Sequence, residues 1–352
     1  MTRKAVAGMV LLALLAVAGC TRPNSSGSTG RATPIQVFTA GPSVTDIRSL
    51  LGDDQWWPGT PTFGVRPLDL ELTPEDVHFT ITQRYSRIGS GDTMSVQYAE
   101  YASVSRATAF VNNLQTSLGT NVATTPKVGD QVLYTGQKLP TATALYETDV
   151  LVRLGQIVVA AAIKQGTGFV ANDELTKIAA KIVSRLKDVL ANKVRPSPLP
   201  SGDDGLLPAA GTDLTMVGVA RLPIEVVADM LNAASPEQFT SSLTSLGVSD
   251  FLFGDYALNA DLHMEVRTAT ITFSSASNAG NWIDSFVGKS NLDANGVFLN
   301  YLDALKQYIL IFIAGTHVGL AFCKSTLDTE AASRACEVPM ERMVGPWLTR
   351  LA

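Results

Sequence analysis

Met94-Ser-Val-Gln-Tyr-Ala-Glu-Tyr101 runs straight into Ala102-Ser-Val-Ser-Arg-Ala-Thr-Ala-Phe-Val111, and the pattern returns in the second half of the chain as Met264-Glu-Val-Arg-Thr-Ala-Thr-Ile-Thr-Phe273 followed by Ser274-Ser-Ala-Ser-Asn-Ala-Gly-Asn-Trp-Ile283. Tyr101 and Phe273, Ser105 and Ser277, Ala107 and Ala279, Phe110 and Trp282 all coincide at one offset, 172 positions. Each copy alternates apolar and polar residues with the period of a strand and then changes to helical spacing behind a serine suited to capping. The helical faces are Ala107, Phe110, Val111, Leu114 and Leu118 in one copy and Ala279, Trp282, Ile283, Phe286 and Val287 in the other.

The ends of the two halves match as well. Val150–Ile163 around Gly155 parallels Tyr308–Phe322 around Gly315, and both read as two strands joined at a glycine turn. A closing helix follows each hairpin. Leu175, Ile178, Ala179, Ile182, Val183 and Leu186 form the apolar face of the first, and Met340, Met343, Val344, Trp347, Leu348 and Leu351 that of the second, with Arg185 and Arg350 at equivalent places. Two matched segments in the same order predict a duplication and an α+β fold: two tandem similar domains, each an antiparallel sheet covered by helices, with the helices on one face.

Composition marks the boundaries. Residues 20–42 hold almost nothing that can be buried and read as a flexible tether with a reach of roughly 25 Å. Pro196, Pro198, Pro200 and Pro208 flank Ser-Gly-Asp-Asp-Gly at a density that no helix or central strand tolerates, so 193–207 reads as a linker. The expected domains are then 43–192 and 208–352. The second half also carries a helical insert, Leu222-Pro223 to Leu231 and Ser235-Pro236-Glu237-Gln238, the latter with the pattern of a capping box; it suits plain packing or a lid.

Ahead of all this stands Thr2-Arg3-Lys4 and an apolar run, Leu11 to Cys20, ending Val17-Ala18-Gly19-Cys20. Charge, apolar length and small residues in that order make a secretory signal, and the run is shorter than the ~20 residues that a spanning helix needs. The ending resembles the lipobox of bacterial lipoproteins, which are cut before the cysteine by signal peptidase II. That resemblance implies a signal peptide over 1–19, a lipidated Cys20 carrying acyl chains such as palmitate, and an extracytoplasmic protein on the cell envelope held to the membrane by lipid. The order of elements in the globular part is similar to that of uncharacterised α+β surface lipoproteins, the sensor-type and PsbP-like ones among them.

Without residues 1–19 the chain keeps 25 basic and 32 acidic residues, which speaks against nucleic acid as a partner. Catalytic patterns are missing: no His-Glu-x-x-His, Cys-x-x-Cys, Gly-x-Ser-x-Gly or phosphate loop occurs. His78, His263 and His317 are scattered, Ser184-Arg-Leu-Lys187 lies on a helical face without partners, and Asp203-Asp204 lacks the spaced oxygens of a calcium loop. Trp56-Trp57-Pro58-Gly59 reads as a recognition edge or as a cap on the first domain's core. No catalytic residue, metal ligand or cofactor is expected. The expected function is a non-catalytic binding or assembly module engaging an unknown envelope protein, with a carrier of lipid or another apolar ligand as the alternative.

Cys323 and Cys336 remain once Cys20 takes lipid. Export, an even count and the place of one cysteine at a strand end and the other before Pro339 predict a disulfide between them. The equivalent first-half positions are Ile163 and about Ala171.

Overall fold

The alternating stretches form the strands and the serines start the helices. The computed structural model describes residues 32–64, 77–119, 122–141, 144–195, 205–211, 213–230, 235–325 and 334–352. Cys20, the signal region and Asp203-Asp204 therefore lie outside the described residues.

In chain order the first part contains helices α1 (Pro34–Thr39) and α2 (Val44–Leu51), strands β1 (Trp56–Pro58), β2 (Thr62–Gly64), β3 (Val77–Arg87) and β4 (Thr93–Tyr101), helix α3 (Val104–Leu118), strands β5 (Gln131–Leu139), β6 (Leu145–Leu154) and β7 (Ile157–Gln165), and helix α4 (Asn172–Leu190). The second part contains β8 (Leu214–Leu222), α5 (Ile224–Met230), α6 (Pro236–Ser245), β9 (Val248–Leu258), β10 (Asp261–Phe273), α7 (Ala276–Phe286), β11 (Val297–Leu302), β12 (Gln307–Ala314), β13 (His317–Ser325) and α8 (Glu337–Leu351).

The duplication holds at the level of register. The first sheet runs β1-β3-β4-β7-β6-β5, with β2 also paired to β3, and the second runs β8-β9-β10-β13-β12-β11. Met94 faces Ile163 and Glu100 faces Ile157 across β4 and β7. Val266 faces Cys323 and Thr272 faces His317 across β10 and β13. The offset of 172 that aligns the sequences thus relates β4 to β10, and an offset of 160 relates their partners β7 and β13, so the two ladders pair equivalent residues. Ser103 and Ser275, again 172 apart, cap α3 and α7 by accepting from the main-chain N–H of Arg106 at 3.2 Å and of Asn278 at 3.1 Å. Tyr101 packs on Phe110 with ring centroids 5.4 Å apart, and Phe273 on Trp282 at 6.1 Å. Gly155 and Gly315 turn the matched hairpins with φ of 59° and 57°, a left-handed conformation that costs glycine little.

Helices cover both faces of each sheet rather than one. In the second unit, Tyr308, Leu310 and Phe312 of β12 share a core with Met340, Met343, Trp347 and Leu351 of α8, while the intervening Ile309 and Ile311 share another with Ala279 and Ile283 of α7 and with Val226, Val227 and Leu243 of α5 and α6. In the first, Val158 and Leu151 pack with Phe110 and Leu114 of α3; Tyr134, whose neighbour Leu133 belongs to that core, bonds Thr176 of α4. Strand residues that alternate apolar with small or branched leave room for a helix on each side. The insert α5–α6 is part of this packing. Its expected capping box is absent: Ser235 precedes α6, with Pro236 at the start, but makes no side-chain capping bond.

The described residues fall into two compact units, those within 1–54, 65–82 and 89–196 in one and those within 55–64, 83–88 and 197–352 in the other. Residues 55–64, which sequence reading assigned to 43–192, thus cluster with the second unit. There Trp57 packs against the core under α7, not against the first domain's core. The expected linker 193–207 also ends earlier: Leu207 is 1% exposed in the core under α8, and the Leu206 carbonyl accepts from Trp347 Nε1 at 3.0 Å. The expected tether 20–42 ends earlier as well, since α1 buries Val37 and Arg185 of α4, which holds the Asp46 carboxylate of α2 at 2.6 Å, donates to the Gly41 carbonyl.

Cys323 and Cys336 form the expected disulfide, with Cα atoms 5.9 Å apart. Cys323 lies on β13 and Cys336 immediately precedes α8, so the bond joins the sheet to its covering helix.

Candidate functional site

The residues that sequence reading singled out do not converge. His263 and His317 sit at opposite ends of the ladder between β10 and β13, and His78 belongs to the other unit. His317 Nδ1 meets Thr272 Oγ1 at 3.2 Å, and burial lowers the imidazole's pKa. Ser184 and Lys187 are exposed on α4. Among the described residues no group of three or more His, Cys, Asp or Glu is placed to hold a metal ion.

A different cluster stands out, in the middle of the second sheet. Glu265 and Arg267 of β10 point to the face that carries Ala269, Ile271 and Phe273, since side chains two apart on a strand share a face. Asp255 of β9 lies directly opposite Arg267, and Lys324 of β13 directly opposite Glu265. Beside them is a cavity of 230 Å³ lined by Thr60 and Pro61, by Phe253, Asp255, Arg267 and Ala269, and by Gln307, Phe322 and Lys324. The cover is β2, which lies against β9 and β10.

Glu265 is well provided for. Its side chain is 2% exposed, and its oxygens take the Phe63 N–H at 2.9 Å, Arg267 Nη2 at 3.1 Å and Lys324 Nζ at 3.9 Å. Asp255 is not. It is 1% exposed, and neither carboxyl oxygen makes a hydrogen bond of good geometry, although the Glu265 carboxyl and the Tyr256 N–H lie near it and Arg267 is its cross-strand neighbour. Burial, and then the charge of Glu265, push its pKa well above the usual carboxylate range. A buried carboxyl without a partner stays neutral because ionising it would leave an unsolvated charge. Arg267 Nε is likewise buried without an acceptor, while the side chain as a whole is 36% exposed.

The fold does not demand this cluster. At the same offset of 172 the first repeat has Thr93 and Ser95 where the second has Glu265 and Arg267, and it builds the same ladder. An unpartnered buried acid and an unfilled guanidinium position lower stability, and such arrangements gather at functional sites. Chemically, the cavity offers a neutral carboxyl that can donate, a guanidinium nitrogen that lacks an acceptor, and an apolar wall.

Sequence reading missed these residues for a clear reason. Met264-Glu265-Val266-Arg267-Thr268 alternates, and charged residues on the polar phase of a strand signal a solvated face. Their burial comes from residues 60–63, about 200 positions earlier in the chain. The paired tryptophans beside that segment were the available signal.

No family model matches the chain, and no curated protein does. Among solved structures, it is similar to the extracellular domain of PknH from Mycobacterium tuberculosis, with a TM-score of 0.38 and 12% identity over 46% of this chain and 100% of that one. A likeness that slight carries no argument about function.

Proposed function

We propose that the protein is an extracytoplasmic lipoprotein, anchored through Cys20, whose second unit is a non-catalytic binding module for a small molecule. The observation that carries this reading is Asp255: fully buried, without a hydrogen bond of good geometry at either oxygen, and in the wall of a 230 Å³ cavity. The signal-like start of the chain and the Cys323–Cys336 disulfide support the extracytoplasmic part, because structural disulfides persist in oxidising compartments. Among the described residues no helix is long and apolar enough to cross a membrane. The alternative of a lipid carrier gains no support from this cavity, whose inner wall bears Asp255, Arg267 and Lys324.

The test is thermal denaturation of the full chain against a small-molecule collection. A ligand that binds only the folded state at about a hundred times its Kd adds about 2.7 kcal/mol of stability. Ala269→Phe, which fills the cavity, is expected to abolish the effect. Stabilisation that persists in Ala269→Phe and in Thr60→Trp contradicts the assignment of the site.

A further inference from the structure

The charges around the cavity do not balance. Glu265 contributes one negative charge, Arg267 and Lys324 one positive charge each, and a neutral Asp255 none, so the cluster carries one net positive charge in a largely apolar setting. Among the described residues the surroundings present no other ionisable group to the cavity: the segment before β2 contributes Thr60 and Pro61, β12 contributes Gln307, and β8 places Gly218 opposite Asp255. Tyr256, next along β9, turns its hydroxyl away to the Pro208 carbonyl at 2.8 Å.

Two polar groups in this cluster still lack partners, and they are complementary to the same one. Arg267 Nε needs an acceptor, and Asp255 in its neutral form has a proton to donate. A carboxylate supplies both, one oxygen to each. An ammonium group would instead bring the cluster to two positive charges, or would have to drive a proton off Asp255 in a site where an uncompensated charge is costly. Pro61, Phe253, Ala269 and Phe322 give the cavity an apolar side, with Thr60, Thr268 and Gln307 as its uncharged polar lining. A dry cavity of about 150 Å³ already accommodates benzene, so 230 Å³ has room for a ring or a short branched chain together with a carboxylate.

We propose that the cavity takes a small organic monoanion, an apolar acid whose carboxylate meets Arg267 beside Asp255 while its hydrocarbon body lies against Phe253 and Phe322. This rests on the reading of the cavity as a ligand site and adds the class of ligand. Asp255 then acts as a proton-bearing partner to the bound acid, and binding weakens as pH rises through its raised pKa, because ionised Asp255 repels the ligand carboxylate.

Calorimetric titration of the full chain with benzoate, benzamide and benzylamine, three probes of one shape and different charge, tests this. Benzoate is expected to bind, with the other two at least about tenfold weaker. Arg267→Gln is expected to weaken benzoate about tenfold or more. Asp255→Asn is expected to keep binding and to remove its loss with rising pH. Equal binding of all three probes, or a preference for benzamide or benzylamine, overturns the anion class and leaves the ligand site standing. Binding of none of the three, at millimolar concentration, overturns both.

Discussion

The main-chain N–H of Phe63 donates to Glu265 Oε1 at 2.9 Å, across 202 positions of sequence. That bond fastens β2 over the charged cluster of the second sheet, where Asp255 and Glu265 are buried. Asp255 of β9 and Glu265 of β10 owe their burial to this cover as well as to their own strands.

Asp255 is expected to lower stability at neutral pH. In the unfolded chain it ionises near pH 3.9, whereas in the folded chain its pKa is raised, so between those values the folded state binds one proton more. Stability therefore falls as pH rises above about 4. Asp255→Asn lifts that penalty: its denaturation midpoint should exceed that of the unsubstituted protein at about pH 8, with the gap closing toward about pH 4. A variant less stable at about pH 8 would show that the carboxylate is ionised and satisfied.

Gly319 is expected to tolerate no side chain. It faces Phe312 across β12 and β13, and a Cβ there would overlap the Phe312 ring, which meets Trp347 edge-on at 4.9 Å. Gly319→Ala should cost about 1–3 kcal/mol in urea unfolding. A loss below about 0.5 kcal/mol would mean that Phe312 can leave Trp347 freely.

The equivalence of the two repeats is testable at their caps. Ser103→Ala and Ser275→Ala should each cost about 1 kcal/mol, while Ser105→Ala and Ser277→Ala, exposed one residue inside their helices, should cost almost nothing. Unequal costs at 103 and 275 would show that the repeats share a pattern but not its energetics.

Joining Cys323 to Cys336, 13 positions apart, should stabilise the second unit by roughly 3 kcal/mol in the chain-entropy account. The unfolded, unreduced chain lacking residues 1–20 is expected to titrate no thiol, and two thiols after reduction. Two thiols before reduction would remove the bond.

Most of the architecture was legible in the sequence because it is local or repeated. The matched segments at Met94–Val111 and Met264–Ile283 carry strand period, cap and helix face in contiguous residues, and Gly155 and Gly315 mark turns by themselves. The disulfide was legible from a count of thiols. Helices on both faces were not, because the same alternation in β12 serves a strand with one covered face or with two; only Trp347 and Ile283, packed on opposite sides, settle it. Asp255 and Arg267 were illegible in principle, since nothing near them in sequence announces that Thr60 and Pro61 will cover them.

The central claim is that the cavity beside Asp255 is a ligand site. Native mass spectrometry of the full chain, incubated with small molecules extracted from a bacterial cell envelope, tests it most directly. An added small-molecule mass is expected on the unsubstituted protein and not on Ala269→Phe; identical spectra for the two would mean that the cavity is not a ligand site.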